Sequence, residues 1–351
     1  MRTAALSSVS TAEQPEVPEG FHHWPTFTRV IGYELNDRQL LGMPGHYVPG
    51  RLDTGTFAED LSPHLDTRLL GQMVEDARCS LEQRVSAGSL LALAGDPRIR
   101  PLDPPMVEVA GGEVAIGLDA QAVDQVLAQF AGLGIDRAWI EKEVPRHRVR
   151  LRPYRIGRYP VTHFEYRLFL SETCFPELPD SWPLGRYPRE LSNHPVHTVS
   201  PCAARAYCVW LSRRTGRHFR LPSEAQWEHG ASGGAACAFP WGDEFLPDRA
   251  NTAESGILHT TPVGAFPRGA APCGALDMAG NVEEYVLDRY APYPDGRFVR
   301  DHLVELEGEY VVARGGSFAR FRDLARVTRR HGYNPRSRVY AMGFRLAEEL
   351  S

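Results

Sequence analysis

After residue 235 the chain loses its helical patterns. From there to the C-terminus it is rich in turns, glycine and aromatic residues, and its apolar residues show no helical period beyond one or two turns. Little regular secondary structure is then available to pair the backbone, so local hydrogen bonds, buried aromatic side chains or metal ions must hold this stretch. The 32 glycines and 28 prolines of the chain agree with a fold dominated by irregular backbone.

Before this stretch, three helices carry their start signals in the sequence. Each begins at a serine or threonine whose side chain can accept a hydrogen bond from the first helical turn. Two of them have Glu or Gln three residues later, which completes a capping box. The starts are Thr162 with Glu165, Ser200 followed by Pro201, and Ser223 with Gln226; the second helix is expected to end at Gly216.

The rest of the chain suggests a leader, an extension and a main domain. Residues 1–20 are predicted to be a disordered leader, 21–105 an N-terminal extension, and 106–351 the main domain. Apolar residues at three- and four-residue spacing predict an amphipathic helix over 66–87 in the extension. "MVEVAGGEVAIG" (106–117) predicts two short strands around a Gly-Gly turn, and alternation over 145–162 predicts a half-buried strand.

Composition narrows the function classes. The formal net charge is -5 and the pI near 6.2, which gives no support to nucleic-acid binding. No apolar run approaches the roughly 20 residues that span a bilayer, and the N-terminus has no apolar signal region. The six cysteines form no CxxC pair. We therefore expect a cytoplasmic protein with reduced thiols and no membrane partner.

Oxygen-bearing residues are concentrated in "DMAGNVEE". Asp277, Gly280, Asn281, Glu283 and Glu284 fall within eight residues. On residue types alone, this stretch is either a solvated loop or a cation site.

The order of the motifs resembles the sulfatase-modifying-factor family, which contains the formylglycine-generating enzymes. The matching stretches cover about residues 106–347 and include "VEVAGGEVAIG", "HPVHTVSPCAARAYCVWL", "LPSEAQWEHGA", "GALDMAGNVEEYV", "ARGGSF" and "MGFRLA". The resemblance implies an α+β domain with the C-type-lectin-like, loop-rich fold of these enzymes. In this chain that domain would carry an N-terminal helical extension.

The resemblance also implies structural calcium. One site would use side-chain oxygens of Asp277 and Glu284 with the backbone carbonyls of Gly280 and Val282. A second would use Asn251 and Glu254. The alternative is a glycine turn with solvated acids.

The metal ligands of the family's known active sites are missing. Formylglycine-generating members hold copper with two cysteines just after "RGGS", but "RGGSFARFRDLARVTRRHGYNP" has none. Thiolates select Cu(I), so we expect no copper and no formylglycine generation. The HxxxHxE motif of the iron-dependent sulfoxide synthases is also absent. If the chain oxidises a substrate, we expect iron as the redox metal, with His147, His194 or His197 as ligands.

Arginines occupy the segment that lines the family's ligand cleft. Guanidinium groups suit carboxylates and phosphates and stack on flat rings. The predicted ligand contacts are Arg320, Arg322, Arg329, His331 and Tyr333; the alternative is that the arginines pair with acids in solvent. Glu283 stands where the family usually has tryptophan. The catalytic candidates are Glu283 and His331, which lies among these arginines.

Two functions remain open. The first is a biosynthetic protein of a bacterial antibiotic or toxin pathway, most specifically toxoflavin-type azapteridine biosynthesis, that oxidatively tailors a small anionic or heterocyclic metabolite, with other pathway enzymes as partners. The second is a non-catalytic module that binds a ligand or a protein.

Overall fold

The computed structural model describes residues 65–332 and 341–350. Within these ranges the predicted α+β class is confirmed, with short elements joined by long irregular segments. The helices are α1 (Thr67–Val74), α2 (Leu81–Ala94), α3 (Val123–Gln129), α4 (Arg137–Glu141), α5 (His163–Thr173), α6 (Pro201–Thr215), α7 (Glu224–Ser232) and α8 (His302–Glu307). The strands are β1 (Met106–Val109), β2 (Gly112–Ile116), β3 (His147–Leu151), β4 (Tyr154–Gly157), β5 (Phe219–Arg220), β6 (Glu283–Arg289), β7 (Val311–Arg314), β8 (His331–Gly332), β9 (Met342–Phe344) and β10 (Ala347–Glu349).

The three capped helices begin where the sequence predicts. The capping boxes at the starts of α5 and α7 are both complete, and Ser200 accepts from the backbone of Ala203 to start α6. Helix α6 ends at Gly216, which adopts a left-handed conformation (φ 73°) that suits a residue without Cβ. Within the described ranges, no helix combines the length and hydrophobicity that crossing a bilayer requires.

The single helix predicted over 66–87 is wrong in its continuity. The structure has α1 and α2 instead, separated by a turn in which Asp76 binds the backbone and side chain of Arg78. Ser80 then starts α2 with its own capping box to Gln83. A local cap therefore outweighs the apolar period, which continues through the break. The residues before 65, including the predicted leader, lie outside the described residues, and the proposed domain division stays a prediction.

The two strands of "MVEVAGGEVAIG" exist but do not pair with each other. β1 pairs with β4 and β2 pairs with β3, so the Gly-Gly step carries the chain from one sheet to another. A Cβ on Gly111 would lie 2.5 Å from the Pro153 nitrogen. The strand predicted over 145–162 is also split, into β3 and β4, at this crossing.

A four-stranded sheet in the order β8-β7-β6-β9 carries the candidate site. Ala313 on β7 pairs with both Tyr285 on β6 and His331 on β8. Since side chains alternate along a strand, Glu283 lies on the same face as Tyr285 and His331, and Glu284 lies on the opposite face.

Candidate functional site

A cavity of about 290 Å³ lies beside the segment that follows "RGGS". Its walls come from the loop before α4, from α4 itself, from residues 319–324 and from β8. The lining residues that carry polar or aromatic groups are Trp139, Asp301, Arg320, Asp323, Arg329 and His331. Leu133, Ile135, Phe321 and Leu324 supply apolar surface. The cavity therefore combines charged groups with apolar walls, as small-molecule sites do.

Arg329 is the buried cation of this cavity. Its guanidinium carbon lies 5.5 Å from the ring centre of Trp139, and Nη1 donates to the carbonyls of Trp139 (3.3 Å) and Arg330 (2.9 Å). Its Nε makes no hydrogen bond within the described part of the chain. Burial lowers the pKa of Arg329, and Glu143 and Asp323 oppose that shift. Its carboxylate contacts are 3.6 Å or longer, so this guanidinium has capacity for an oxyanion at the cavity.

The ion pairs of the cavity arginines are long. Arg329 Nε lies 3.6 Å from Asp323 and 4.0 Å from Glu143, and Arg320 Nε lies 3.5 Å from Glu283. By contrast, Arg345 holds Glu284 through two contacts of 2.5 and 2.6 Å. Arg345 thus binds its carboxylate at hydrogen-bond distance, whereas Arg329 contacts its carboxylates only at 3.6 Å or more.

Glu283 and His331 form a hydrogen-bonded pair at the cavity. His331 Nδ1 lies 2.5 Å from Glu283 Oε2, and both side chains are buried. Burial lowers the pKa of His331 below its usual value, against the opposing effect of Glu283. Burial acts to raise the pKa of Glu283, but His331 and Arg320 outweigh it, and the pKa is lowered. Near pH 7 this gives an ionised Glu283 that accepts the Nδ1–H of a neutral His331.

The structure brings together three of the five predicted ligand contacts. Arg320, Arg329 and His331 line the cavity, with Glu283 directly behind His331. Arg322 does not line it: its backbone and guanidinium bind Glu254, at 3.0 and 3.2 Å. Tyr333 lies outside the described residues.

Sequence reasoning missed Trp139, Asp301 and Asp323. Trp139 lies on α4, a five-residue helix that follows its N-cap Asp136, and the Asp136 side chain accepts from the backbone of Ala138. A helix that short shows no period, and it lies about 180 positions before the arginines in the sequence. Asp301 binds Lys142 at 2.5 Å, a pairing across 159 residues that has no sequence signal.

The oxygens predicted to bind calcium have protein donors. Glu284 accepts from Arg345 and from the Trp227 indole (2.7 Å). Asp277 accepts from the backbone of Gly264 (2.7 Å), and burial raises the pKa of Asp277 to about 6. A cation at either carboxylate would have to displace these donors.

The second predicted calcium site is similar. Asn251 Oδ1 accepts from Ser255 at 3.0 Å, and Glu254 binds Arg322 and Thr252. At the first site, the two other predicted ligands, Gly280 and Val282, would contribute only backbone carbonyls. Both calcium sites therefore stay predictions.

The histidines considered for iron have other contacts. His147 packs against the Tyr293 ring at 4.5 Å, while His194 and His197 bind the hydroxyls of Thr260 and Thr198. Among the described residues, no group of three or more His, Cys, Asp or Glu side chains is arranged to hold a metal ion. The described side chains fit neither an iron centre nor, without a cysteine in the cavity wall, a copper centre.

Comparison with known proteins identifies the relatives. The Sulfatase-modifying factor enzyme 1-like domain matches residues 94–350. The chain is 30% identical to hercynine oxygenase of Mycobacterium tuberculosis over 62% of this chain and 59% of the relative, so it spans about three-fifths of that protein. It is also 30% identical to the inactive C-alpha-formylglycine-generating enzyme 2 of Mus musculus, over 74% of this chain and 91% of the relative.

A solved structure shows the same fold. The structure of PvdO from Pseudomonas aeruginosa superposes with a TM-score of 0.55 at 30% identity, covering 71% of this chain and 95% of that one. The residues matched by the family model, 94–350, include all those that line the cavity. The chain belongs to the sulfatase-modifying-factor family.

Proposed function

We propose that the chain binds a small metabolite bearing a carboxylate or another oxyanion in the cavity at Arg320 and Arg329, for an oxidative tailoring step. The observation that carries this proposal is the guanidinium of Arg329, which lines the cavity and contacts carboxylates only at 3.6 Å or more. Arg320 provides a second cation and is partly exposed. Two guanidinium groups at one cavity suit an anion.

The cavity also favours a flat ring system. The Trp139 ring lies under the Arg329 guanidinium, and Leu133 and Ile135 add apolar surface beside it. A planar heterocycle can pack against these groups while its anionic substituent reaches the arginines. An anionic or planar aromatic ligand is also what the arginine-rich segment predicts.

Glu283 and His331 supply proton transfer. With Nδ1 committed to Glu283, His331 exchanges a proton with a bound molecule through Nε2. Glu283 fixes the tautomer and stabilises the imidazolium that forms when His331 accepts a proton. In this role His331 is the general base and Glu283 is a positioning residue.

Oxidative chemistry is supported by relatives named hercynine oxygenase. Molecular oxygen or a redox metal would accept the electrons that the substrate loses. Because the described side chains fit neither copper nor iron, no step is assigned to a metal. The iron expected from the sequence stays a prediction, which metal analysis of the purified protein tests.

A non-catalytic binding module is the second candidate. The relative from Mus musculus that is named inactive covers more of this chain than hercynine oxygenase does. The same cavity serves either function, because binding needs only the arginines and the flat walls. Oxygen uptake with a bound metabolite would support the enzyme, and binding without uptake, in a protein that holds calcium alone or no metal, would support the module.

The most specific form of the proposal is a cytoplasmic role in a toxoflavin-type azapteridine pathway, with other enzymes of that pathway as partners. In this form of the proposal, the anionic heterocycle that binds in the cavity is an intermediate of that pathway. Deletion of the gene from a producing strain should stop the pathway at one intermediate. Unchanged production would remove this pathway and leave the binding site open to other metabolites.

The binding proposal is tested with a matched pair of ligands and a matched pair of variants. Calorimetric titration with pterin-6-carboxylate should give heat, and uncharged pterin should bind at least about tenfold more weakly, since hydrogen bonds to a charged group contribute about 1.5–3 kcal/mol. Arg320→Gln should weaken binding of the carboxylate by about tenfold. Arg322→Gln, which changes an arginine held by Glu254 outside the cavity wall, should leave it within about twofold.

Hercynine, which appears in the name of the relative hercynine oxygenase, is the second ligand to be tested for binding. Equal losses in the two arginine variants, or no binding of either pterin-6-carboxylate or hercynine, would overturn the proposal. Metal content of the same samples, measured by elemental analysis, decides between iron, calcium and no metal.

A further inference from the structure

One face of the β2–β3 ribbon carries a row of exposed arginines. Arg148 and Arg150 are exposed residues of β3, and exposed Arg152 follows directly after the strand. Alternate residues of a strand point to the same face and lie about 7 Å apart along it. Leu151, on the opposite face, packs against the hydrophobic core. The three arginines, called the arginine row below, therefore point away from the core.

One acid of the ribbon shares this face with the arginine row. Glu113 lies opposite Arg150 in the register of β2 and β3, but its carboxylate pairs with Arg148. The side chains of Arg150 and Arg152 make no hydrogen bond or ion pair within the ranges that the structure describes. Like charges on one face of a sheet repel each other, so a bound anion would relieve this repulsion. Two guanidinium groups of the row thus keep all their donors for a partner.

The acids beyond the two ends of the row limit its extent. Arg146 continues the alternation toward a cavity of about 320 Å³, which Asp119 and Asp243 also line. Those carboxylates oppose the charge of Arg146, so this end does not favour an anion. At the other end, Glu349 of β10 already pairs with Arg220 at 2.9 Å. The surface that favours an anion is therefore the arginine row itself.

The pairing of β3 indicates the shape of the partner. Among the described residues, β3 pairs with β2 alone, so its other edge can receive a further strand. Every second side chain of an added strand would lie on the face of the arginine row, opposite its guanidinium groups.

We propose that the arginine row and the unpaired edge of β3 bind an extended segment of a partner protein with Asp or Glu at alternate positions. Guanidinium groups bind carboxylates through paired hydrogen bonds, and the spacing of the two strands is the same. Nucleic acid fits less well, because this face of β2 and β3 has no aromatic side chain for base stacking and the chain has a net charge of -5. The proposal does not depend on the function of the Arg320–Arg329 cavity.

Two peptides of one composition test the spacing. Both have blocked ends and a neutral dye, and they read Glu-Thr-Glu-Thr-Glu-Thr and Glu-Glu-Glu-Thr-Thr-Thr. As a strand, the first places all its carboxylates on one face, and the second divides them between both faces. Fluorescence anisotropy at low ionic strength, where exposed charges are least screened, should show about threefold tighter binding of the alternating peptide. Tetrathymidylate, which carries the same number of negative charges, should bind more weakly than this peptide.

Variants of the ribbon test its residues. Arg150→Gln should weaken binding of the alternating peptide by about threefold, the scale of one exposed ion pair. Glu113→Gln should strengthen it, because this change releases Arg148 and removes the acid opposite Arg150. Arg213→Gln, which changes an exposed arginine of α6, is the control and should leave it unchanged. Equal binding of the two peptides, tighter binding of tetrathymidylate, or an unchanged affinity in Arg150→Gln would overturn the proposal.

Discussion

At the scale of single residues, the ion-pair distance separates the two uses of arginine in this chain. Arg345 is fully buried, binds both oxygens of Glu284, and donates to the carbonyls of Gly157 and Leu276. Such an arginine holds irregular backbone in place of a strand or helix. Arg329 is equally buried, but its carboxylate contacts are 3.6 Å or longer. Its remaining donor capacity is what makes it a candidate for ligand binding.

Arg345→Met should be strongly destabilising. Removal of one partner leaves the buried Glu284 carboxylate without its counter-ion, which typically costs about 3–5 kcal/mol. Arg322→Met, which breaks a partly exposed pair with Glu254, should cost about 1 kcal/mol or less. Urea denaturation of both variants measures the difference. Similar losses would mean that the buried pair does not support the fold as described.

Glu283→Gln tests the pair at the candidate site. In the unmodified protein, the ring nitrogens of His331 should show by NMR the neutral tautomer with its proton on Nδ1 near pH 7. Loss of the carboxylate removes the group that raises the pKa of His331, so this pKa should fall further. The tautomer preference should weaken, because an amide can donate as well as accept. A charged His331 at pH 7, or an unchanged tautomer in the variant, would contradict the pairing.

Part of the site could be predicted from the sequence. Arg320, Arg329 and His331 lie in a segment that the family resemblance places at the cleft, and they do meet at one cavity. Arg322 lies two residues from Arg320 but does not line it, since in irregular backbone the spacing does not define a face. Trp139 and Asp301 could not be predicted, because only the tertiary fold brings them to the arginines.

At the scale of elements, helix α2 is fixed to the rest of the described chain by side chains that bind its backbone. Ser192 donates to the carbonyl of Ala92 at 2.5 Å, and Asn193 donates to the carbonyl of Gly88 at 2.9 Å. Arg84 reaches the carbonyl of Ala265 at 2.7 Å. These contacts make α2 part of the same packed unit as the sheets, although the pattern of its residues predicts only an amphipathic helix.

Gly88→Ala should loosen α2. A Cβ at this position would lie 2.4 Å from Pro262, so the helix or the proline must shift even though alanine is the better helix former. The expected loss is about 1–3 kcal/mol, as for other overpacked sites. Ser89→Ala, one residue along on the exposed side of α2, should change stability by less than about 0.5 kcal/mol. Faster proteolysis near α2 in the Gly88 variant alone would support the close contact.

Elements with local signals were predictable and their pairing was not. The caps of α5, α6 and α7 depend on residues within one turn, so the sequence contains all that starts them. The partners of β1 and β2 are β4 and β3, which lie about 40 positions further along the chain. A Gly-Gly step has the same sequence whether it forms a hairpin or a sheet crossing.

At the scale of the whole molecule, buried histidines should govern the response to acid. His163, His194 and His197 lie close together, with ring centres of His163 and His197 6.0 Å apart. Burial lowers the pKa of His194 and of His197 from 6.5 to about 3, and lowers that of His163 as well. Trp182 donates its indole N–H to Nδ1 of His163 at 2.8 Å, which fixes that ring in the neutral form.

The sign of the effect follows from proton uptake. Below pH 6.5 these histidines take up protons in the unfolded chain but not in the folded one, so stability is complete above that pH and is lost as the pH falls toward 3. Glu165 and Asp277 act in the opposite direction, because burial raises their pKa values to about 7 and about 6. The total slope is therefore smaller than the histidines alone would give.

His194→Gln isolates one proton from this balance. Below pH 6.5 each histidine contributes up to about 1.4 kcal/mol per pH unit to the slope of unfolding free energy against pH. Urea unfolding at pH 7.5, 6.0 and 5.0 should give a shallower slope for this variant than for the unmodified protein. Exposed His218→Gln serves as the control and should leave the slope unchanged. Parallel slopes for all three proteins would mean that His194 takes up its proton as readily in the folded chain as in the unfolded one.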